Sequence, residues 1–182
     1  IQGCIKQDRK CQNALYKLYF PMMSSIALRY NKNKDDALLD INYGFFKVLT
    51  NISKYNSEYS LATFIRNILI RHIIDELRKK KKVVFDSIDH LNEMEVKNYE
   101  NNLAIDNMNL EFLNSLLNHL PVSSRTVFTL FVVDGYSHKE IADLLSISEG
   151  TSKWHLNNAR SKLIEKLKEL ENKEKMALIK SK

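Results

Sequence analysis

The segment 135–163 constrains the fold more than any other, because it combines two amphipathic helical patterns with one tight turn. Ser137 and Glu140 have the Ser-x-x-Glu spacing of a capping box, in which each side chain binds the other residue's free backbone N–H. The residues that give this first helix a buried face are Ile141, Ala142, Leu144 and Leu145. After a turn at 146–148, the Ser148 hydroxyl can cap the second helix. The segment therefore predicts a helix-turn-helix.

The second helix of this motif has one packed side and one polar side. At 100° per residue, its packed positions are Ser152, Leu156, Ala159, Leu163 and Leu167. The polar side carries groups that suit base edges and phosphates, namely Thr151, Lys153, Trp154, His155, Asn157, Asn158 and Arg160. Any amphipathic helix has a polar back, but a large aromatic residue there favours a binding surface. Its partner is DNA or, in a second interpretation, a polypeptide bound by Trp154.

Turn residues are scarce along the whole chain. Its 182 residues include four glycines and two prolines, which disfavours turn-rich β architectures and favours an all-α fold. A hydrophobic content of 44% with 27% charged residues is typical of globular domains. No apolar run approaches the roughly 20 residues of a membrane span, and the N-terminus lacks a signal-peptide core. We therefore expect a cytoplasmic protein that does not contact a membrane.

Charge divides the chain into three parts. Residues 1–82 carry a net charge of +9, residues 83–120 carry −6, and residues 121–182 carry +3. Basic domains suit a phosphate backbone, because counterions released from the nucleic acid contribute affinity. The acidic middle part should avoid DNA. This distribution predicts two nucleic-acid-binding domains on either side of an acidic connection.

Charge and periodicity together predict an all-α protein of two small helical domains, with the helix-turn-helix in the second. The domains are 1–82 and 109–172, and the segments outside them are an acidic linker at 83–108 and a frayed tail at 173–182. Before the helix-turn-helix, the second domain is expected to contain helices at 110–120 and 125–134, the latter capped by Ser123 or Ser124.

The first domain is expected to contain three helices. They cover 12–30, with a kink or break at Pro21, then 35–53, and finally 61–82. The last is apolar around most of its circumference, so it should be the central helix. Its narrow polar stripe consists of Asn67, Arg71, Asp75, Arg78 and Lys82. The five cations at 78–82 either contact DNA or form a solvated helix end.

No combination of residues indicates catalysis. Cys4 and Cys11 are seven residues apart, which on one helix places them on the same face but too far apart for a disulfide. The five histidines are scattered, and no glycine-rich phosphate loop is present. We therefore expect no catalytic residue, no metal site, no cofactor and no enzymatic activity.

Three segments resemble motifs of the sigma-70 family of RNA polymerase sigma factors, in particular the extracytoplasmic-function type. Residues 150–160 resemble the family's promoter-reading motif in the helix-turn-helix. The matches to its polymerase-docking segment are Asp36, Ala37, Gly44, Phe45, Lys47, Val48, Asn51, Lys54 and Tyr55. The matches to its minus-ten helix are Thr63, Phe64, Ile65, Arg66, Ile74, Asp75, Glu76, Leu77, Arg78 and Lys79.

The resemblance implies a protein that binds RNA polymerase core and directs promoter recognition, DNA melting and transcription initiation. It implies contacts with the clamp coiled coil of the largest subunit through Asp36, Asp40, Asn42, Phe45 and Lys47. A second contact is implied with the flap of the second subunit. Minus-ten DNA is assigned to Tyr55, Tyr59, Asn67, Arg71, Arg78, Lys79 and Lys82. Minus-thirty-five DNA is assigned to Thr151, Ser152, Lys153, Trp154, His155, Asn157, Asn158 and Arg160.

Some interpretations stay open at this point. Tyr55 and Tyr59 either stack on an unpaired base or pack on their own domain. The chain departs from the family pattern at Leu38, Leu39, Arg71, Trp154, Asn157 and Asn158, which suggests weakened promoter reading and an auxiliary DNA-targeting partner. An anti-sigma factor is a further expected type of partner. The alternative function is a helix-turn-helix repressor or activator that never docks on polymerase.

Overall fold

The computed structural model describes residues 1–80 and 110–180. Within these ranges the regular structure is helical and no strand is present, so the predicted all-α class is confirmed. The chain divides into two compact units with a boundary between Lys82 and Val83. The proposed acidic linker at 83–108 lies outside the described residues.

The first unit contains one short helix and three long helices, and the three long helices pack against one another. Helix α1 covers Gln2–Ile5, α2 covers Arg9–Tyr30, α3 covers Lys34–Asn51 and α4 covers Leu61–Lys80, with a 3₁₀ turn at Ile52–Lys54 between the last two. The core residues contributed by α4 are Ile65, Leu69, Ile70, Ile73, Ile74 and Leu77. These lie on one broad side of the helix, which packs on both α2 and α3, as expected for the central helix of the domain.

Helix α2 differs from its prediction in two respects. It begins at Arg9 because the Asp8 carboxylate accepts a hydrogen bond of 2.8 Å from the Lys10 backbone N–H, and it continues through Pro21 without a break. The chain turns at Gln7, whose φ is +61°, so Cys4 and Cys11 lie on separate helices rather than on one face of a single helix. Leu18, near the middle of α2, is 71% exposed.

The helix-turn-helix of the second unit forms as predicted. Helix α7 covers His138–Leu145, and its capping box is complete: the Ser137 hydroxyl accepts from Glu140 N at 3.2 Å, and Ser137 N donates to Glu140 Oε2 at 2.8 Å. The turn passes through Ser146 with φ +55°, and the Ser148 hydroxyl then accepts from Thr151 N at 3.0 Å. Helix α8 covers Glu149–Lys180.

The helices before this motif depart from the prediction. Helix α5 covers Leu110–Asn118 and α6 covers Val122–Phe128, followed by a π-helical turn at Thr129–Val133 and by Gly135 with φ +78°. Ser123 and Ser124 are buried inside α6 and do not cap it, since α6 begins directly after Pro121. At the other end of the unit, residues 173–180 continue α8 where a frayed tail was expected.

Candidate nucleic-acid interface

The exposed side of α8 is narrower than the sequence suggested. Lys153 is exposed, and Thr151, Trp154, Asn157 and Arg160 are half-buried. These five residues retain access to solvent at the start of the second helix of the motif, where side chains reach base edges and phosphates. We call them the α8 basic face, because Lys153 and Arg160 are its charged members.

Two predicted DNA-reading residues lie in the core instead. Ser152 is 0% exposed, in agreement with its predicted place on the packed side of the helix, and His155 is 1% exposed. The prediction that these two residues contact DNA directly is therefore wrong. His155 Nδ1 lies 3.1 Å from the Ser124 hydroxyl oxygen on α6, and the Asn158 amide donates to that same oxygen at 2.9 Å. The helical wheel assumed one packed side, whereas α8 packs on both α6 and α7. Asn158 is therefore held by α6 and is less available to DNA.

A second histidine fixes α8 against α7. His138 Nδ1 lies 2.9 Å from the Ser152 hydroxyl oxygen, and its ring stacks on Phe131 with centroids 4.5 Å apart. Burial lowers the pKa of His138, and the nearby Lys153 lowers it further. Both histidines of the motif thus act in their neutral forms as polar contacts between helices.

Protonation of His155 should destabilise the second unit. Burial lowers the pKa of His155 from 6.5 to about 4, so the folded state binds this proton less well than the unfolded state. Stability is then lost as the pH falls from 6.5 towards 4, by about 2 kcal/mol at pH 5. The chain's one tryptophan, Trp154, lies 5.0 Å from His155 between ring centroids, so its fluorescence during denaturant unfolding reports this loss.

The matched variant is His155→Gln, which keeps a polar side chain but does not titrate in this range. Its free energy of unfolding should change less between pH 7 and pH 5 than that of the unmodified chain. Equal pH dependence in the two proteins would contradict a role for His155. The free energies of unfolding at pH 7 and pH 5 are compared within each protein, so a change in the overall stability of the variant does not affect the result.

The proposed minus-ten residues lie along one exposed side of α4. Asn67, Arg71, Arg78 and Lys79 are all exposed, whereas Lys82 lies outside the described residues. The Lys79 ammonium donates to Glu76 Oε1 at 2.8 Å, and this contact raises the pKa of Lys79. The ion pair partly neutralises one cation of this side. We call the exposed side formed by Asn67, Arg71, Arg78 and Lys79 the α4 polar stripe.

The two loop tyrosines have different environments. Tyr59 is 67% exposed, so its ring is accessible to a base. Tyr55 is half-buried, its hydroxyl donates to the Tyr59 carbonyl at 2.6 Å, and its ring contacts Phe64 edge-on with centroids 5.4 Å apart. Tyr55 thus packs on its own domain and orders the loop, leaving Tyr59 as the accessible aromatic residue.

Two of the five proposed polymerase contacts are not on the surface. Asp40 is 9% exposed and accepts a hydrogen bond of 2.7 Å from the Asn31 amide, while Phe45 is 7% exposed and packs edge-on against Tyr16 with centroids 5.0 Å apart. Both lie on the side of α3 that faces the core. The sequence prediction that they form a docking surface is therefore wrong.

The three other proposed contacts are on or near the surface. Asp36 Oδ2 accepts from the Asn33 amide at 2.9 Å at the start of α3, and Asn42 Oδ1 accepts from the Tyr16 hydroxyl at 2.9 Å. Lys47 is half-buried. Both hydrogen bonds are made within the domain, although Asn42 stays exposed and Asp36 is half-buried.

Helix α3 also exposes an apolar face, which includes Leu38 and Leu39, two of the positions where the sequence departs from the family pattern. It consists of Leu38, Leu39, Tyr43 and Phe46, which are 46%, 55%, 63% and 63% exposed. Their spacing places them on the side opposite the core residues of the same helix. The sequence signal for this face is that α3 has apolar residues around most of its circumference. Such a pattern indicates that the helix packs against a second partner in addition to its own core.

In the described parts of the chain, no group of three or more His, Cys, Asp or Glu residues is arranged to hold a metal ion. Across residues 1–80 and 110–180, we also find no helix with the length and hydrophobicity of a membrane span. The surfaces available for function are thus the α8 basic face, the α4 polar stripe and the apolar face of α3.

Comparisons with known proteins assign a family to this architecture. A model of sigma-70 region 2 matches residues 15–83, and a model of sigma-70 region 4 matches residues 113–163. The chain is 28% identical to the RNA polymerase sigma factor SigV of Bacillus subtilis, covering 74% of this chain and 77% of that protein. It is 25% identical to the ECF RNA polymerase sigma factor EcfG of Rhodopseudomonas palustris, covering 79% of this chain and 77% of that protein.

The fold also matches a solved structure. The sigma factor RpoE, solved in complex with the anti-sigma factor NepR from Bartonella quintana, superimposes with a TM-score of 0.52 over 86% of this chain and 96% of that chain, at 22% identity. The two family models occur in the order of the two helical units and cover all or part of every helix described above except α1. The chain therefore belongs to the sigma-70 family of RNA polymerase sigma factors, in its extracytoplasmic-function group.

Proposed function

We propose that this chain binds RNA polymerase core and directs it to promoters, where it helps to melt the DNA and start transcription. The observation that carries the proposal is the pairing of two helical units, matched by sigma regions 2 and 4, each with a positively charged exposed helix side. Two separate basic surfaces on one chain suit a promoter with two recognition elements.

The second unit is proposed to read the minus-thirty-five element through the α8 basic face. Lys153 and Arg160 would contact phosphates and fix the register, while Asn157 and Thr151 hydrogen-bond to base edges in the major groove. Trp154 lies at the edge of this face, where its ring can contact a thymine methyl group or a sugar. His155 and Ser152 act indirectly, by holding α8 in position.

The first unit is proposed to hold the melted minus-ten strand along the α4 polar stripe. Arg71 and Arg78 supply positive charge, Asn67 supplies hydrogen bonds, and Tyr59 offers an exposed ring for stacking. Melting would draw its free energy from these contacts with unpaired bases. The chain itself would catalyse no reaction, since RNA synthesis belongs to the core, and it would act in the cytoplasm, where the core is found.

The apolar face of α3 is proposed as the surface that docks on the clamp coiled coil of the largest subunit. A helix that exposes Leu39, Tyr43 and Phe46 can bury them against the side of another helix. We place a second contact between the second unit and the flap. An auxiliary DNA-targeting partner, or an anti-sigma factor such as the one bound to RpoE, would add to these contacts.

The test is a reconstitution with purified core polymerase. The chain should co-elute with core in size-exclusion chromatography, and the complex should produce run-off transcripts from DNA selected from a random promoter library. Sequence-specific duplex binding without any association with core would instead favour a repressor or activator. Strong, motif-dependent initiation from core and this chain alone would remove the need for an auxiliary partner.

Removing the two cations of the α8 basic face should weaken promoter binding by the holoenzyme. For Lys153→Ala combined with Arg160→Ala we expect about tenfold lower affinity. The slope of log affinity against log salt concentration should also become less negative by about two, because two phosphate contacts are lost. Filter binding over a series of salt concentrations measures both quantities.

The control for this prediction removes the same charge from the same helix. Lys168 and Lys173 are exposed on α8 beyond Leu163, the last residue of this helix that is described as buried. Lys168→Ala combined with Lys173→Ala should leave both affinity and salt dependence nearly unchanged. Equal losses in the two double variants would show that overall charge, rather than this face, controls binding.

A further inference from the structure

The apolar face of α3 continues at Phe46 into a groove of about 620 Å³ between the start of α2 and the end of α3. Leu49 of α3, Ile52 of the 3₁₀ turn, and Cys4 and Ile5 of α1 supply the rest of its apolar lining. Ile5 is 41% exposed and Phe46 is 63% exposed, so the groove is open to solvent along its walls. A small molecule is usually enclosed by its site, whereas a polypeptide segment can lie across an open groove of this kind.

Half of the groove is built by a segment that precedes the family match. The match to sigma-70 region 2 begins at residue 15, and the lining residues before it are Cys4, Ile5, Gln7, Arg9 and Gln12. Helix α1 packs on both α2 and the 3₁₀ turn. It lies directly on the first turn of α2, because Cys11 Sγ occupies the space that a Cβ atom would need at Gly3. The groove is thus shaped by residues of this chain that the shared region 2 match does not include.

The groove and its rim carry an excess of positive charge. Arg9 lines the groove, where the described residues include no acid, and its neighbours along the chain, Lys6 and Lys10, are exposed. In the part of the chain that the structure describes, none of these three side chains makes a hydrogen bond or an ion pair. Asp8 is the only acid among residues 1–34, and its carboxylate accepts hydrogen bonds from backbone N–H groups of the first turn of α2, which lowers its pKa. The three cations are thus available to an acidic partner.

A partner segment that combines acidic residues with one large apolar side chain fits this groove. The apolar side chain would pack on Ile5, Leu49 and Phe46, and a carboxylate would bind the guanidinium fork of Arg9. A nucleic-acid backbone would satisfy the cations but leave the apolar lining exposed. We propose that the groove binds such an acidic polypeptide segment of a partner protein. Because the groove shares Phe46 with the apolar face of α3, the segment and core polymerase exclude each other, a consequence that rests on the function proposed above.

The test measures binding of a short fluorescein-labelled peptide, in which glutamates flank a central phenylalanine, to the full chain by fluorescence anisotropy. Two matched peptides replace the phenylalanine with serine or every glutamate with glutamine, and each should bind about tenfold more weakly. Equal affinity of either matched peptide would overturn the proposal, because the groove is expected to need both properties. Displacement of the phenylalanine peptide by single-stranded decathymidine at an equal concentration of negative charge would overturn the assignment to a polypeptide.

Variants of the chain locate the binding site. Arg9→Glu reverses the charge that lines the groove and should weaken peptide binding by about tenfold. A glutamate suits the first turn of a helix, so α2 should remain folded in this variant. Ile5→Ser removes part of the apolar lining and should weaken binding by about fivefold. Lys17→Glu reverses an exposed charge on the same helix outside the groove and should bind the peptide normally. Equal losses in Arg9→Glu and Lys17→Glu would overturn the proposal, because overall charge would then control binding.

Adding core polymerase to the complex of chain and peptide separates this inference from the proposed function. Core should release the peptide, which lowers the anisotropy, whereas a peptide retained on the larger assembly would raise the anisotropy and overturn the mutual exclusion. If the chain associates with core and directs transcription but does not distinguish the three peptides, the groove assignment is overturned and the function stands. If the peptides are distinguished but core does not bind the chain, the function fails and the groove assignment stands.

Discussion

Replacing Phe46 with glutamate is expected to lower the affinity of this chain for core polymerase by about 100-fold. Phe46 is 63% exposed in the apolar face of α3, and an exposed glutamate at this position should not disturb the fold. In the complex, the new carboxylate would be buried against an apolar partner without a counter-charge, and losses of this size are typical at the centre of an interface. Biolayer interferometry with immobilised core measures the change.

The control for this prediction places the same charge on a similar exposed residue elsewhere. Leu18 is 71% exposed on α2, and Leu18→Glu should bind core normally. Leu39→Glu, within the apolar face, should reproduce the loss. If Phe46→Glu binds core as well as the unmodified chain, or if Leu18→Glu fails equally, the apolar face is not the docking surface.

The apolar nature of this face also predicts how salt acts on the two kinds of binding. Burial of Leu39, Tyr43 and Phe46 is insensitive to screening, whereas contacts between cations and phosphates weaken steeply as counterions are added. Association with core should therefore persist at salt concentrations that release promoter DNA. If Asp36 and Lys47 alone made the polymerase contact, added salt would weaken the association with core.

Replacing Arg125 with alanine is expected to destabilise the second unit by about 3 kcal/mol. Arg125 is 0% exposed in α6, and its Nη1 donates to Asn118 Oδ1 at 2.7 Å at the end of α5. Truncation would leave a cavity at the position of one of the largest fully buried side chains and remove a hydrogen bond between two helices. Chemical denaturation followed by Trp154 fluorescence gives the free energy of unfolding.

The variant Arg125→Met separates the loss of packing from the loss of the charge and its hydrogen bonds. Burial alone lowers the pKa of Arg125 to about 10, so the charge is held in the core at a cost. Methionine fills much of the same volume without that cost, and we expect it to recover most of the stability lost in Arg125→Ala. Equal losses in both variants would mean that the charge and its hydrogen bonds, rather than packing, stabilise α5 against α6.

Local signals in the sequence were sufficient for the helix-turn-helix. The capping box of Ser137 and Glu140, the cap at Ser148 and the stop at Gly135 each depend on residues within a few positions of one another. Their geometry is set by backbone chemistry that does not depend on the rest of the fold. The same holds for α4, whose apolar circumference indicated a central helix.

The sequence was misleading about which polar side chains of a helix are buried between two neighbouring elements. A helical wheel assigns one packed side, but α8 packs on α6 and α7, and His155 therefore became buried against Ser124. Asp40 is a similar case, since its polar character suggested a surface while Asn31 satisfies it inside the domain. Which polar residues are satisfied internally depends on contacts between distant segments, and one sequence does not reveal those contacts.

The π-helical turn at Thr129–Val133 controls the direction of the chain as it enters α7. Such a turn contains one residue more than the α-helical turn it replaces, and each residue of an α-helix rotates the chain by about 100°. Deleting a single residue here would restore α-helical geometry and redirect both helices of the reading motif. The orientation of the helix-turn-helix on the rest of the second unit is thus tied to the residue count of one short turn.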